Sequence, residues 1–206
     1  GSGGSSENLH GDAISKKIFR FLKGYEAFAT NSYVDSGGVV TKGYGITEGN
    51  DYYASLGVDA CSEELASNVL AEACFQGYAL RLYTHMQNDG VDMALVKQNH
   101  FDAFLSLAYN GGLGAVIDSP MYLKWIIDSN NPTITSDWET WYIKDQLGSV
   151  SNGLIDRRQK EIMIFRDNIY TFKPIGVVVD NVGTISGIIT DNNGHGYIPE
   201  GLGGDL

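Results

Sequence analysis

Residues 26–45 read EAFATNSYVDSGGVVTKGYG, and the interpretation of this stretch decides the fold. Before it, Ile14, Ile18, Phe21, Leu22 and Tyr25 recur at helical spacing, with Lys16, Lys17 and Lys23 on the remaining positions. That pattern predicts an amphipathic helix over residues 13–28, with Asp12 as its N-cap. Residues 31–46 then predict a small antiparallel hairpin turning at Asp35-Ser36-Gly37-Gly38. Gly43 and Gly45 in its second strand imply a kink, or a backbone that some other group approaches closely. A helix running straight into a hairpin marks an α+β chain.

The same stretch carries the chemistry. Glu26 lies four positions beyond Leu22 and eight beyond Ile18, so it falls on the apolar face of its helix. It also sits near the helix C-terminus, where the dipole disfavours negative charge. Partial burial and that dipole both favour the protonated form that a general acid needs. With a three-residue loop at 36–38, Tyr33 faces Thr41 and Asp35 lies diagonal to Thr41 on one side of the sheet. A carboxylate and a hydroxyl so placed can hold one water between them. Paired acids of this kind cleave glycosidic bonds, one protonating the leaving oxygen while the other activates water or attacks. Each group alone has a plainer explanation: a surface Glu at a fraying end, an Asp favoured by its turn, an ordinary strand Thr.

Further along, residues 62–82 predict a long helix opened by Glu63 and Glu64, and residues 97–109 a buried helix stopped by Asn110-Gly111-Gly112. Helices are also predicted over 120–128, 138–146 and 156–169, with loops at 130–135 and 148–153. After Lys173-Pro174 the texture changes to short β-branched runs at 175–179 and 184–190, read as a second hairpin. The predicted organisation is a flexible linker or expression remnant over 1–12, a mainly helical domain with a small N-terminal sheet over 13–172, and a short β-hairpin appendage and tail over 173–206. The Gly/Ser-rich start and the absence of an initiator Met suggest a module cut from something longer.

With 206 residues, 43% of them hydrophobic, the chain can build a well-cored domain. It has no apolar run of membrane-spanning length and no signal peptide. A net charge of -11 argues against nucleic acid as a partner, because phosphate contacts need clustered Lys and Arg. Cys61 and Cys74 fall about 20 Å apart along one predicted helix at 1.5 Å per residue, too far to bridge each other. His10, His85, His100 and His195 show no metal-ligand spacing, so neither a metal nor a cofactor is expected. Ser106 and Ser119 lack a nucleophile-elbow context. Turn chemistry explains Asp191-Asn192-Asn193-Gly194 better than a calcium loop does. Trp125, Trp138 and Trp141 read as core, one of them available to stack on a sugar.

The spacing E-(x8)-D-(x5)-T-x-G-x-G of Glu26, Asp35, Thr41, Gly43 and Gly45 resembles the catalytic signature of the phage-type lysozymes, glycoside hydrolase family 24. The likeness continues in QNHFDAFLSLAYNGG at residues 98–112, similar to that family's Q-x-x-F-D-A-L-x-S-x-x-F-N-x-G helix. It appears again in GLIDRRQKE at residues 153–161, similar to G-L-x-x-R-R-x-x-E. Together the three motifs cover roughly residues 14–167. The resemblance implies a lysozyme-like fold, with Glu26 as the acid that protonates the glycosidic oxygen. It makes Asp35 the carboxylate that positions or deprotonates the attacking water, and Thr41 the hydroxyl that helps hold it, on an inverting course. Tyr109, Asn110 and Ser119 match positions lining the sugar cleft, although core packing and helix capping account for them equally. Arg157 matches an arginine near the acid, where a fixed cation tunes proton affinity. Arg158 reads as a structural ion-pair residue, with Glu161 at helical spacing from both arginines.

Two local departures stand out: Ile46-Thr47 replaces the histidine that often follows G-x-G, and residues 49–61 are unlike the common form. The acidity is also unusual for a wall-directed protein. The expected activity is that of an N-acetylmuramidase cleaving the β-1,4 bond between N-acetylmuramic acid and N-acetylglucosamine in bacterial peptidoglycan. The site of action would be the cell wall or periplasm, reached by release from the host cytoplasm or as part of a phage tail or lysis protein. The rival expectation is a catalytically weak wall-binding or structural module of a phage tail protein.

Overall fold

The computed structural model describes residues 7–9, 14–189 and 196–203. Asp12, His10, His195 and the 191–194 turn lie outside the described residues. The chain forms two compact units. One, here the sheet unit, takes in residues 14–77 and 172–203; the other, the helical unit, takes in 7–9 and 78–171.

In the sheet unit, α1 (Lys16–Glu26) buries Ile18, Phe21 and Leu22, as its periodicity predicts, and Phe19 beside them. Its N-cap is Ser15, whose Oγ accepts from the Ile18 N–H at 3.1 Å. β1 (Phe28–Val34), β2 (Val40–Gly43) and β3 (Ile46–Thr47) follow, then α2 (Glu63–Cys74), capped by Ser62. β1 and β2 pair antiparallel with Tyr33 opposite Thr41, as the three-residue loop requires. Towards Ala29, paired with Gly43, the register shifts and β1 bulges. There Thr30 leaves the ladder and its carbonyl accepts from the Cys61 N–H at 3.0 Å. Cys61 and Cys74 are both buried, and no disulfide joins them.

The C-terminal hairpin forms as expected but is not an appendage. β4 (Gly176–Val178) runs parallel to β1, pairing Val177 with Phe28, and β5 (Ile185–Ile188) pairs antiparallel with β4. The result is one five-stranded sheet ordered β3-β2-β1-β4-β5. Of the stretch read as tail, Gly203 is also bound. Gly203 donates to the Ile14 carbonyl at 2.9 Å and accepts from the Lys16 N–H at 3.1 Å.

α2 gives way to a single π turn at Phe75–Ala79 and then to α3 (Leu80–Asn88), where the sequence predicts one uninterrupted helix. The helical unit continues with α4 (Gln98–Gly111), α5 (Gly114–Ile117), α6 (Pro120–Trp125), α7 (Ile134–Thr140) and α8 (Asn152–Asp167). α4 is its axis. Phe104 packs against Tyr122, Trp125, Trp138 and Phe165 at centroid distances of 5.1 to 5.8 Å. Asp102, fully buried, accepts from Gln98 and from the Tyr170 hydroxyl. Gly112 ends α4 at φ +88°, as the Asn-Gly-Gly stop predicts. The helix expected over 138–146 is instead α7, displaced toward the N-terminus. Residues 144–150 form a tight turn in which Asp145 Oδ1 accepts from the N–H groups of Leu147 and Ser149.

His100 stacks on Phe165 at 4.1 Å and accepts the Trp125 indole N–H at 3.1 Å. Burial, with the Lys97 charge adding to it, lowers its imidazole to about 4. The unfolded chain takes this proton first as pH falls, so stability is lost between about pH 6.5 and 4, by about 3 kcal/mol in all. His100→Asn keeps an acceptor for Trp125 and removes the titration. Its urea-unfolding free energy should fall less between pH 7 and 4.5 than that of the parent, by about 2 kcal/mol. An equal fall in both proteins refutes the assignment.

Candidate active site

Three of the sequence-predicted residues, Glu26, Asp35 and Thr41, come from the sheet unit. Glu26 is the last residue of α1 and is half-buried. The helix stops there because Ala27 adopts φ +52°, ψ +163°, a conformation that side-chain-bearing residues rarely occupy. β1 begins one residue later, so the acid is held at a sharp corner between helix and sheet. Its Oε2 lies against the backbone of Gly45, itself at φ +70°, so closely that a Cβ at Gly45 would overlap the carboxyl. The close approach implied by the G-x-G pattern is therefore made by Glu26.

Asp35 opens the β1–β2 turn. Its Oδ1 accepts from the N–H groups of Gly37 and Val39, each at 2.9 Å, and both described hydrogen bonds fall on this one oxygen. Gly38 closes the turn at φ +80°. The turns at Asp145 and Asp180 share this architecture: an aspartate whose Oδ1 binds the second and fourth following N–H groups, and a left-handed glycine at the third position. The backbone alone thus accounts for an aspartate at position 35, and the turn leaves its second oxygen for other work.

Thr41 is 3% exposed, and its hydroxyl donates to the Val39 carbonyl at 3.1 Å. Toward any further partner it is consequently an acceptor. Tyr33, opposite Thr41, is raised above its ordinary value by burial and then by the negative charges of Asp35 and Glu26. Its phenol stands within the field of both carboxylates. A Cβ at Gly183 would sit 3.2 Å from its ring, and Val34 N–H donates to the Asn181 carbonyl at 2.9 Å. The C-terminal hairpin therefore braces the hairpin that carries Asp35. In the sequence Tyr33 stands out only as the mate of Thr41; its place two residues before Asp35, on the same strand face, is the signal that marks it.

The other four predicted residues belong to the helical unit. Tyr109, half-buried, meets Tyr78 edge-on at 5.0 Å. Asn110 Oδ1 accepts from Arg158 at 2.8 Å. Ser119 is fully buried, its Oγ donating to Val116 and accepting from Tyr122 as the cap of α6. Of the two readings open for Ser119, its observed bonds are those of the cap. Arg157 is 5% exposed, and its guanidinium donates to the Oγ and to the carbonyl of Ser106, each at 3.4 Å. Arg158 forms the structural pair expected of it: its guanidinium grips Glu161 through two bonds of 2.7 and 3.0 Å and reaches the Tyr142 carbonyl. Glu161 also accepts from Ser106 and Trp138, so this buried pair has its lone pairs satisfied. Among the described residues, no cluster of three His, Cys, Asp or Glu is placed to hold a metal ion.

An acid at a helix corner, backed by a glycine turn and followed by a hairpin bearing a carboxylate and a hydroxyl, is an arrangement that known families can be tested against. The sequence model of the phage lysozyme family matches residues 23–161, and the chain belongs to that family. It is 33% identical over 158 residues to the endolysin of Bacillus phage B103, covering 74% of this chain and 53% of that one. It is 38% identical over 80 residues to the endolysin of Bacillus phage PZA, covering 37% of this chain and 30% of that one. The chain thus spans about half the length, or less, of these relatives. Among solved structures, the endolysin of Escherichia coli O157:H7 phage FAHEc1 superposes with a TM-score of 0.60 at 24% identity, over 81% of this chain and 99% of that one. The muramidase domain of SpmX from Asticaccaulis excentricus gives 0.55 at 23% identity, over 74% and 97%. At these identities the structures establish a shared lysozyme-like α+β fold.

A residue held as Ala27 is costs of order 1–3 kcal/mol, whereas glycine adopts the same conformation freely. Ala27→Gly should therefore raise the melting temperature by about 2–4 °C, the shift expected for about 1 kcal/mol in a chain of this size. A fall in melting temperature would show that the corner is not strained.

Proposed function

We propose that the chain is a muramidase that hydrolyses the β-1,4 bond between N-acetylmuramic acid and N-acetylglucosamine in bacterial peptidoglycan, with inversion at the anomeric carbon. The observation that carries this reading is the division of labour between two carboxyl groups on one scaffold. Glu26 sits half-buried at a helix end with its oxygen against Gly45, while Asp35 is fixed by its turn through one oxygen only. The match to the phage lysozyme family supports assigning the pair to acid and base roles.

In this mechanism Glu26 donates its proton to the glycosidic oxygen as the bond to the anomeric carbon breaks. A water on the opposite face of the sugar ring is held by Asp35 and Thr41. Because the Thr41 proton is committed to Val39, the water donates one hydrogen to Thr41 Oγ1 and the other to Asp35 Oδ2. Both O–H bonds are then tied and a lone pair is free to attack. Asp35 takes the proton as the new C–O bond forms, and a β linkage yields an α product. Tyr109 and Asn110 are assigned to sugar binding by their place in the family motifs. The setting of this activity is the bacterial cell wall, acted on by a phage-encoded protein.

Glu26→Gln should lower the clearing rate of purified cell walls by about 10³-fold or more, with the melting temperature unchanged. Asp35→Asn is the sharper variant. An amide oxygen still accepts the two turn N–H groups, but the amide nitrogen cannot take a proton, so stability should hold while clearing falls about 100-fold. Clearing by Glu26→Gln at the parent rate would refute the mechanism, and a β-anomeric product in proton NMR would refute inversion. A wall-binding module would instead pellet with walls and leave their turbidity unchanged.

A further inference from the structure

Glu63, the first residue of α2, is where four segments of the sheet unit meet. Its Oε1 accepts from Lys23 Nζ at 2.7 Å, from the Tyr44 hydroxyl at 2.7 Å and from Ser67 Oγ at 3.0 Å. The Tyr197 N–H adds bonds to both carboxylate oxygens at 3.2 and 3.0 Å, and the Tyr197 carbonyl accepts from Lys23 at 2.7 Å. The Lys23 side chain is wholly buried and its ammonium lies over the rings of Phe19 and Tyr44. A Cβ at Gly196 would come within 2.8 Å of Glu63 Oε1 and 3.1 Å of Lys23 Nζ.

Both of the fixed groups lead to the same place. Lys23 is one helical turn before Glu26 on α1. Tyr44 is the middle residue of the Gly43–Tyr44–Gly45 turn, whose Gly45 backs the Glu26 carboxyl. A shift of Glu63 would move the helix that carries the acid and the wall it rests on by different amounts. We propose that Glu63 is a positioning residue for Glu26, and that the C-terminal segment at Gly196–Tyr197 is the clamp that holds Glu63 in place.

Burial alone would raise the Glu63 carboxyl, but the bonds from Lys23 and Tyr44 and the Lys23 charge outweigh it and hold it below its usual value, so it is ionised at neutral pH. Without it the buried Lys23 ammonium would lose the carboxylate that faces it at 2.7 Å. Glycine at 196, at φ +66°, is what lets the C-terminal backbone close over the pair. Lys23 and Glu63 lie within the span that the family model matches but outside the three motifs, and the 196–203 segment lies outside both.

The proposal rests on Glu26 being the catalytic acid, so its test reads position and turnover separately. Tyr44→Phe deletes one hydroxyl and leaves the ion pair intact; Glu63→Gln removes the charge; Gly196→Ala crowds the clamp. The position readout is the carboxyl carbon of Glu26, titrated by NMR in each full-length variant. The turnover readout is the clearing rate against wall concentration and pH, well below each melting temperature.

The expected result is a displaced Glu26 titration in all three variants. With it should come a kcat lower by about tenfold for Tyr44→Phe and up to about a hundredfold for Glu63→Gln, KM little changed, and a shifted alkaline limb of the pH profile. Variants that melt earlier but keep the parent Glu26 titration, kcat and pH profile overturn the proposal and leave Glu63 a stability residue only. Should Glu26→Gln clear walls normally, the muramidase mechanism fails, and the NMR titration still decides whether Glu63 positions Glu26.

Discussion

A carboxyl group can rest against a backbone only where no side chain stands in the way, and that exclusion at Gly45 organises the sheet unit. For the Glu26 oxygen to reach Gly45, α1 must end at once and the chain must turn directly into β1. Ala27 supplies the turn at a conformational cost that the neighbouring structure must hold. The chain must then come back as a hairpin and kink again at Gly43 and Gly45, bringing a bare backbone beside the helix end. Three unusual backbone residues in nineteen thus serve one contact.

The hairpin solves a second problem, how to hold a carboxylate still while leaving part of it available. Asp35 does this by dividing its oxygens. One is locked by two backbone N–H groups, so the side chain cannot rotate, and the other has no part in the turn. The Asp145 and Asp180 turns show that the device is a general piece of this chain's loop chemistry. What distinguishes Asp35 is its setting: Thr41 lies diagonal to it across the ladder, and Tyr33 on the same face feels both carboxylates. A structural turn and a chemical role are therefore compatible explanations of one residue.

The parts of this arrangement that sequence revealed are those encoded by local periodicity. The apolar stripe from Ile14 to Tyr25, the Asp-Ser-Gly-Gly turn and the Tyr33–Thr41 register follow from spacings of a few residues, and the structure has them. The Asn110-Gly111-Gly112 stop was legible for the same reason. Long-range pairings were not. Nothing in Gly176–Val178 announces that it will lie parallel to β1, because β-branched residues specify a strand and not its neighbour. The same holds for Glu63, which reads as an ordinary first-turn acid until Tyr197 arrives from 134 residues away. The displaced α7 has another cause: Trp141 and Tyr142 extend the apolar pattern, but Trp141 is extended at φ −89°, ψ +132° and Tyr142 is left-handed at φ +53°, so the helix stops at Thr140.

The acidity of the chain also looks different once the interior is considered. Of its fourteen basic residues, Arg20, Lys23, Lys42, Arg157 and Arg158 are buried, whereas only Asp102 and Glu161 of its 25 acidic residues are, among the described residues. Several of these cations hold backbone carbonyls that no regular element satisfies. Lys42 binds those of Gly57 and Asp59, Lys23 that of Tyr197, and Arg158 that of Tyr142. Irregular backbone inside a protein needs donors, and in this chain basic side chains supply them. The outward face is therefore more acidic than the net charge of -11 indicates. At long range such a face repels anionic polymers, so on the proposed muramidase reading any affinity for the wall has to come from short-range contacts.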